Sequence, residues 1–194
     1  MNNRWKLKRE DCLLLAVDFQ DRLIQGMYNP EEFMKENQTL VQGCRIYDVP
    51  ILFTTQYKKG LGELSESIGQ YAKDAKRIDK NGFSVWTQEE VQEELKRQGK
   101  KQIIVTGMES HICILASVRD LIDAGYEVFL PRDCVSSRNP MRYTNGLDQM
   151  REYGAVISNT ESILFEIARV SGTPEFKEMQ KLINGPSIFR WRKK

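Results

Sequence analysis

Short apolar runs recur along the chain, each ending in a polar residue or glycine, and stretches with helical spacing separate them. They are "CLLLAVDF" (12–19), "ILFTTQ" (51–56), "KQIIVTG" (101–107), "YEVFLPRD" (126–133) and "AVISN" (155–159). Runs this short and this uniformly apolar fit strands covered on both faces, as in a parallel sheet. Between them lie helix-like segments. "TQEEVQEELKRQG" reads as a helix capped by Thr87 with Glu90 and ended by Gly99. "ICILASVRDLIDAG" reads as an amphipathic helix, and "PEEFMKENQTLVQG" starts on Pro30 with acids in its first turn. "MRYTNGLDQMREYG" reads as a helix weakened by Gly146, "TESILFEIAR" as one capped by Thr160, and "TPEFKEMQKLI" as one capped by Thr173. Residues 57–86 lack clear periodicity and read as a long loop with room for one short strand or helix.

This alternation predicts a doubly wound α/β fold: a largely parallel sheet with helices on both faces, in one domain spanning 1–194. Such sheets hold their sites at the carboxyl ends of the strands. Those ends carry Asp18, Gln56, Gly107 and Asp133. No glycine-rich phosphate loop follows the first run, which continues as "VDFQDRL". That argues against a nucleotide or flavodoxin-like cofactor domain, and no cofactor is expected. The esterase pattern G-x-S-x-G is also absent.

Charge narrows the partners. The 29 basic and 27 acidic residues leave a formal charge of +2, which gives no electrostatic footprint for nucleic acid or for an acidic membrane. No apolar run reaches the length of about 18 residues that spans a bilayer, and "MNNRWKLKRED" is not followed by a secretory apolar stretch. The expectation is a cytoplasmic protein whose cysteines, 12, 44, 113 and 134, are free thiols. With one histidine, His111, and no ligand spacing, no metal site is expected.

Three side chains near the predicted sheet edge could do chemistry together. Cys113 lies at a strand-to-helix turn, where the helix dipole and a neighbouring cation favour the thiolate. Asp18 offers a carboxylate to take the thiol proton and return it to a leaving group, and Lys80 offers an ammonium. Each also has a plain structural reading: a buried core cysteine, a loop cap and a solvated turn charge. His111 is a competing base, but two residues along a helix it does not face Cys113.

At these residues the chain resembles the isochorismatase-like cysteine hydrolases. "LLLAVDFQDRL", "DKNGFSVW" and "VTGMESHICILASVRDLIDAGYEVFLPRDCVSSR" are similar to that family's three motifs and stand in its order. The resemblance implies a catalytic triad of Asp18, Lys80 and Cys113. It also implies a non-proline cis peptide, here Met108–Glu109, with the backbone N–H groups of Glu109 and Cys113 as the oxyanion hole. The implied activity is hydrolysis of a small-molecule substrate, with a C–N amide bond placed first, through a thioester. Phe19, Gln20, Gln56, Phe83 and Trp86 flank the expected site and are read as pocket-lining. The metal ligands that nicotinamidases carry after the second strand are missing from "TTQYKKGLGELSES". The resemblance further implies a homo-oligomer, for which the apolar faces of the last two helices and the tail "IFRWRKK" are candidates. A small-ligand-binding or interaction protein on the same fold, without turnover, is the alternative.

Overall fold

The computed structural model describes residues 6–184; the tail "IFRWRKK" lies outside them. Among the described residues, seven strands form one sheet: β1 (Cys12–Val17), β2 (Ile51–Gln56), β3 (Lys76–Lys80), β4 (Gln102–Met108), β5 (Glu127–Pro131), β6 (Val135–Ser136) and β7 (Val156–Ser158). The order is β3-β2-β1-β4-β5-β7, with β6 pairing to the end of β4, and every pairing is parallel. The expected doubly wound α/β architecture is present. The helices are α1 (Asp21–Ile24), α2 (Pro30–Ile46), α3 (Lys58–Leu61), α4 (Glu66–Gly69), α5 (Glu89–Gln98), α6 (Leu115–Asp123), α7 (Pro140–Tyr153), α8 (Thr160–Ala168) and α9 (Pro174–Asn184). No helix among the described residues is long and apolar enough to cross a membrane.

Strand β1 shows why its run is uniformly apolar. Cys12, Leu14 and Ala16 enter one core, with residues of α2, α8 and α9. Leu13, Leu15 and Val17 enter the other, with residues of α5, α6 and α7. The alternating side chains meet protein on both sides, so neither face carries polar positions.

Several local expectations need correction. Residues 57–86 hold α3, α4 and β3, all short, so no run was long enough to show a period. Lys80 is therefore the last residue of a strand, not part of a loop. Helix α5 is capped at Gln88, because the Thr87 hydroxyl instead donates to the Ser84 carbonyl at 2.8 Å. Asn159 caps α8 by accepting from Ser162 N; Thr160 is the first helical residue, and its N–H and hydroxyl both donate to Asp133. Thr173 does accept from Phe176 N at the start of α9. In α8 and α9, Ile163, Leu164, Ile167 and Met179 are buried, while Phe165 of α8 is exposed.

Candidate active site

The sheet order reverses between β1 and β4, and this switch point is where a crevice opens at the carboxyl ends of the strands. Val17 pairs with Gly107 there. The next residue on one strand is Asp18, and Cys113 follows shortly after the other. The two ends approach so closely that a Cβ at position 107 would overlap the Val17 carbonyl oxygen, and Gly107 has φ 120°. Only glycine meets both demands.

Asp18 stands one residue past β1 with φ 64°, an uncommon conformation for a residue with a side chain. Its amide still donates to the Thr54 carbonyl at 3.0 Å, which ties the turn to β2. The carboxylate is fully buried and accepts from two donors: Thr54 Oγ1 donates to Oδ1 at 2.9 Å and Lys80 Nζ donates to Oδ2 at 2.7 Å, with the Cys113 thiol close enough to act on its ionisation. Burial pushes the Asp18 carboxyl above the usual aspartate range, while Lys80 and these hydrogen bonds oppose the rise.

Lys80 reaches Asp18 from the end of β3, across β2. It is 1% exposed, and its ammonium also donates to Gln56 Oε1 at 2.6 Å. The carbonyl oxygens of Phe83 and Gly82 lie at 3.2 and 3.3 Å. A lysine placed in such a cage is not a solvated turn charge.

Cys113 lies within a π-helical turn, Ser110–Ile114, that precedes α6. The amides of Ile112 and Ile114 both donate to the Glu109 carbonyl, at 3.0 and 3.2 Å. The peptide bond between Met108 and Glu109 is cis. Ser110 Oγ pairs with Ser137 Oγ at 2.7 Å, and Ser137 Oγ lies 3.0 Å from His111 Nδ1. The Glu109 carboxylate accepts from Arg138 N and Nε, each at 3.1 Å. Helix α7 presses on the turn at Gly146, where a Cβ would stand 2.8 Å from the Ser110 carbonyl. The glycine that weakens the helix by propensity is thus a packing requirement.

Burial works against the thiolate that a helix N-terminus and a nearby cation favour. Burial pushes Cys113 up to about 12; Lys80 lowers it, but Asp18 and Glu109 raise it. Cys113 keeps 8% exposure while Asp18 keeps none, so a molecule arriving from solvent meets Cys113 before Asp18. His111, pushed below its usual range chiefly by burial, is engaged with Ser137.

The expected pocket-lining residues divide. Phe83 is exposed and its carbonyl meets Lys80, whereas Trp86 is half-buried with its ring edge-on to Tyr126 at 5.8 Å. Phe19 and Gln20 are fully buried. Phe19 stacks on Phe33 at 5.5 Å in the core, and both ends of the Gln20 amide are bound to backbone, so neither lines an open pocket. Alternation along a strand end could not separate these residues from true lining positions. Thr54, Ser110 and Ser137 were missed, because small hydroxyl residues carry no distinctive spacing. Tyr57 and Lys58 follow the second strand, and among the described residues no group of three or more His, Cys, Asp or Glu side chains is placed to hold a metal ion.

Known proteins resemble this chain along most of its length. The isochorismatase domain model matches residues 12–162. The isochorismatase domain-containing protein 2 of Danio rerio is 34% identical over 183 residues, covering 94% of this chain and 91% of that protein. Among solved structures, the MAR1 ribonuclease of Caenorhabditis elegans superposes with a TM-score of 0.86 at 28% identity, covering 92% of each chain. YcaC of Escherichia coli, described as an octameric hydrolase of unknown specificity, superposes with a TM-score of 0.86 at 23% identity and shares the fold, covering 91% of this chain and 90% of its own.

Proposed function

The chain belongs to the isochorismatase family, and from that premise we propose that it is a cysteine hydrolase cleaving a C–N amide bond in a small molecule. The observation that carries this reading is the buried Lys80–Asp18 pair, with the ammonium 2.7 Å from the carboxylate, set close to Cys113. Buried charges are costly unless paired, and here the paired carboxylate stands near a cysteine that it can serve as base.

In the resting site the sulfur is a thiol and Asp18 is the base. As the sulfur attacks the carbonyl carbon, the S–H proton passes to Asp18 and the carbonyl π electrons move onto oxygen. The N–H groups of Glu109 and Cys113 hold that oxyanion. The C–N bond then breaks, Asp18 gives its proton to the departing nitrogen, and a thioester remains. Asp18 takes a proton from water as the water oxygen attacks the thioester. The acid leaves, and the proton returns to sulfur. Lys80 stabilises the carboxylate whenever it is charged. The raised thiol suits this sequence, since proton loss and attack occur together and no free thiolate need persist.

Phe83 and Trp86 are the substrate-lining residues in this reading. The protein is read as one domain, in the cytoplasm, where four unpaired cysteines are at home, and as a homo-oligomer, as the E. coli neighbour is. One observation favours a non-catalytic ligand-binding protein: a thiol pushed up to about 12 is unreactive by itself. A panel of small amides, with RNA as a further substrate, separates the readings. Release of ammonia or amine by the wild type, lost in Cys113→Ala, supports the hydrolase. Unchanged turnover in Cys113→Ala removes the mechanism.

A further inference from the structure

We propose that Gln56 is a positioning residue for the Lys80–Asp18 pair, itself held by Gln20, and that it is not a substrate contact. The proposal rests on the hydrolase reading and assigns a control point within that same site.

An ammonium has three N–H bonds and no acceptor. Asp18 Oδ2 takes one from Lys80 at 2.7 Å and Gln56 Oε1 takes another at 2.6 Å. The Phe83 and Gly82 carbonyls share the third, at 3.2 and 3.3 Å. Every polar partner of Nζ is thus an acceptor, which selects the ammonium form and leaves no N–H for a substrate oxygen. Lys80 acts on Asp18 through its charge and does not deliver a proton.

Gln56 is fitted to that task. Its Oε1 faces the ammonium while its Nε2 donates to the Asn81 carbonyl at 2.8 Å. A flipped amide would set NH2 against NH3+ and oxygen against oxygen, so the network fixes its orientation. Its main chain is fixed as well. Gln56 N donates to Gln20 Oε1 at 2.8 Å, and Gln20 Nε2 donates to the Gln56 and Gly62 carbonyls at 3.0 and 2.7 Å. Gln20 lies two residues beyond Asp18 and is fully buried. The turn after β1 that presents the base is therefore cross-tied to the end of β2. Gln56 in turn ties that end to the lysine and to the turn after β3.

The groups facing the carboxylate are Lys80 from β3, Thr54 from β2 and Cys113 from the π turn; Glu109 adds a charge near the thiol. Loss of the Gln56 acceptor frees the ammonium to move from Asp18, and the carboxylate then takes up a proton at higher pH. The test follows alkylation of Cys113 by iodoacetamide from pH 4 to 9, read by mass spectrometry of the Cys113 peptide. The variant is Gln56→Met, which keeps the length but removes the acceptor. The wild type is expected to show an acid limb where Asp18 gains its proton. Gln56→Met moves that limb up by about one pH unit, equivalent to about a tenfold slower reaction on the limb, a shift that a purely structural role would not give. A wild-type limb that Gln56→Met leaves in place overturns the inference alone. A wild-type profile without any acid limb overturns the base reading beneath it.

Discussion

Replacing Lys80 by Met leaves Asp18 buried and without its cation, and the cost of that change should depend steeply on pH. Lys80 and Asp18 have almost no exposure, so solvent does not take over the lost pairing. A carboxyl that cannot stay charged takes up a proton, and this bounds the penalty. Relative to the unfolded chain, with the ordinary aspartate value of 3.8, holding that proton at pH 7 costs at most about 4 kcal/mol, since pH 7 lies about 3 units higher. Breaking a buried pair by removing one partner typically costs about 3–5 kcal/mol, which agrees. The sign follows from a folded-state value raised above the unfolded one. The neutral carboxyl's contribution is fully present below 3.8 and is lost as pH rises through the folded value. The bound therefore falls by about 1.4 kcal/mol per pH unit on acidification, to about 1 kcal/mol at pH 4.5. Urea unfolding of wild type and variant at pH 7 and pH 4.5, followed by far-UV circular dichroism, measures the difference. With a slope of about 2 kcal/mol/M, the variant's midpoint falls by up to about 2 M at pH 7 and by far less at pH 4.5. Equal losses at the two pH values would refute the reasoning, because the penalty would then not come from an ionised Asp18.

Other outcomes follow from neighbouring contacts. Thr54→Val keeps the volume but removes the 2.9 Å bond to Asp18 Oδ1; the acid limb of Cys113 alkylation should rise by about one pH unit. Gly107→Ala meets both the φ of 120° and the Val17 carbonyl oxygen, and should lower stability by about 3 kcal/mol or more in urea unfolding. In folded protein at pH 7, iodoacetamide should label Cys113 ahead of Cys12, Cys44 and Cys134, which have no exposure; peptide mass spectrometry reads the order. Asp18→Asn should remove the plateau above the acid limb, leaving Cys113 labelling to rise with pH through the thiol's own titration, which loss of the Asp18 charge brings down.

The strand runs made the α/β fold readable because both faces of β1 are covered, which leaves an uninterrupted apolar signature. Asp18 and Cys113 were readable because each follows such a run at the switch point. Lys80 was read as a loop ammonium and gained its role from the resemblance of "DKNGFSVW": its strand reads "KRIDK", with only Ile78 and Lys80 buried, and resembles a polar loop. Gln20 shows a different limit. A polar residue just past a strand end can face a substrate or bind backbone, and only the positions of Gln56 and Gly62 decide which. For the thiol, helix dipole and lysine are visible in sequence, whereas the burial and the two nearby carboxylates that raise it are not.

The central claim is that the Cys113 sulfur carries the acyl group. Intact-protein and peptide mass spectrometry during turnover of an amide from the panel tests it most directly. The account predicts a mass gain equal to the acyl group, confined to the Cys113 peptide, released by hydroxylamine and absent from Cys113→Ala. Steady turnover with no such adduct, and with Cys113→Ala as fast as wild type, would contradict it.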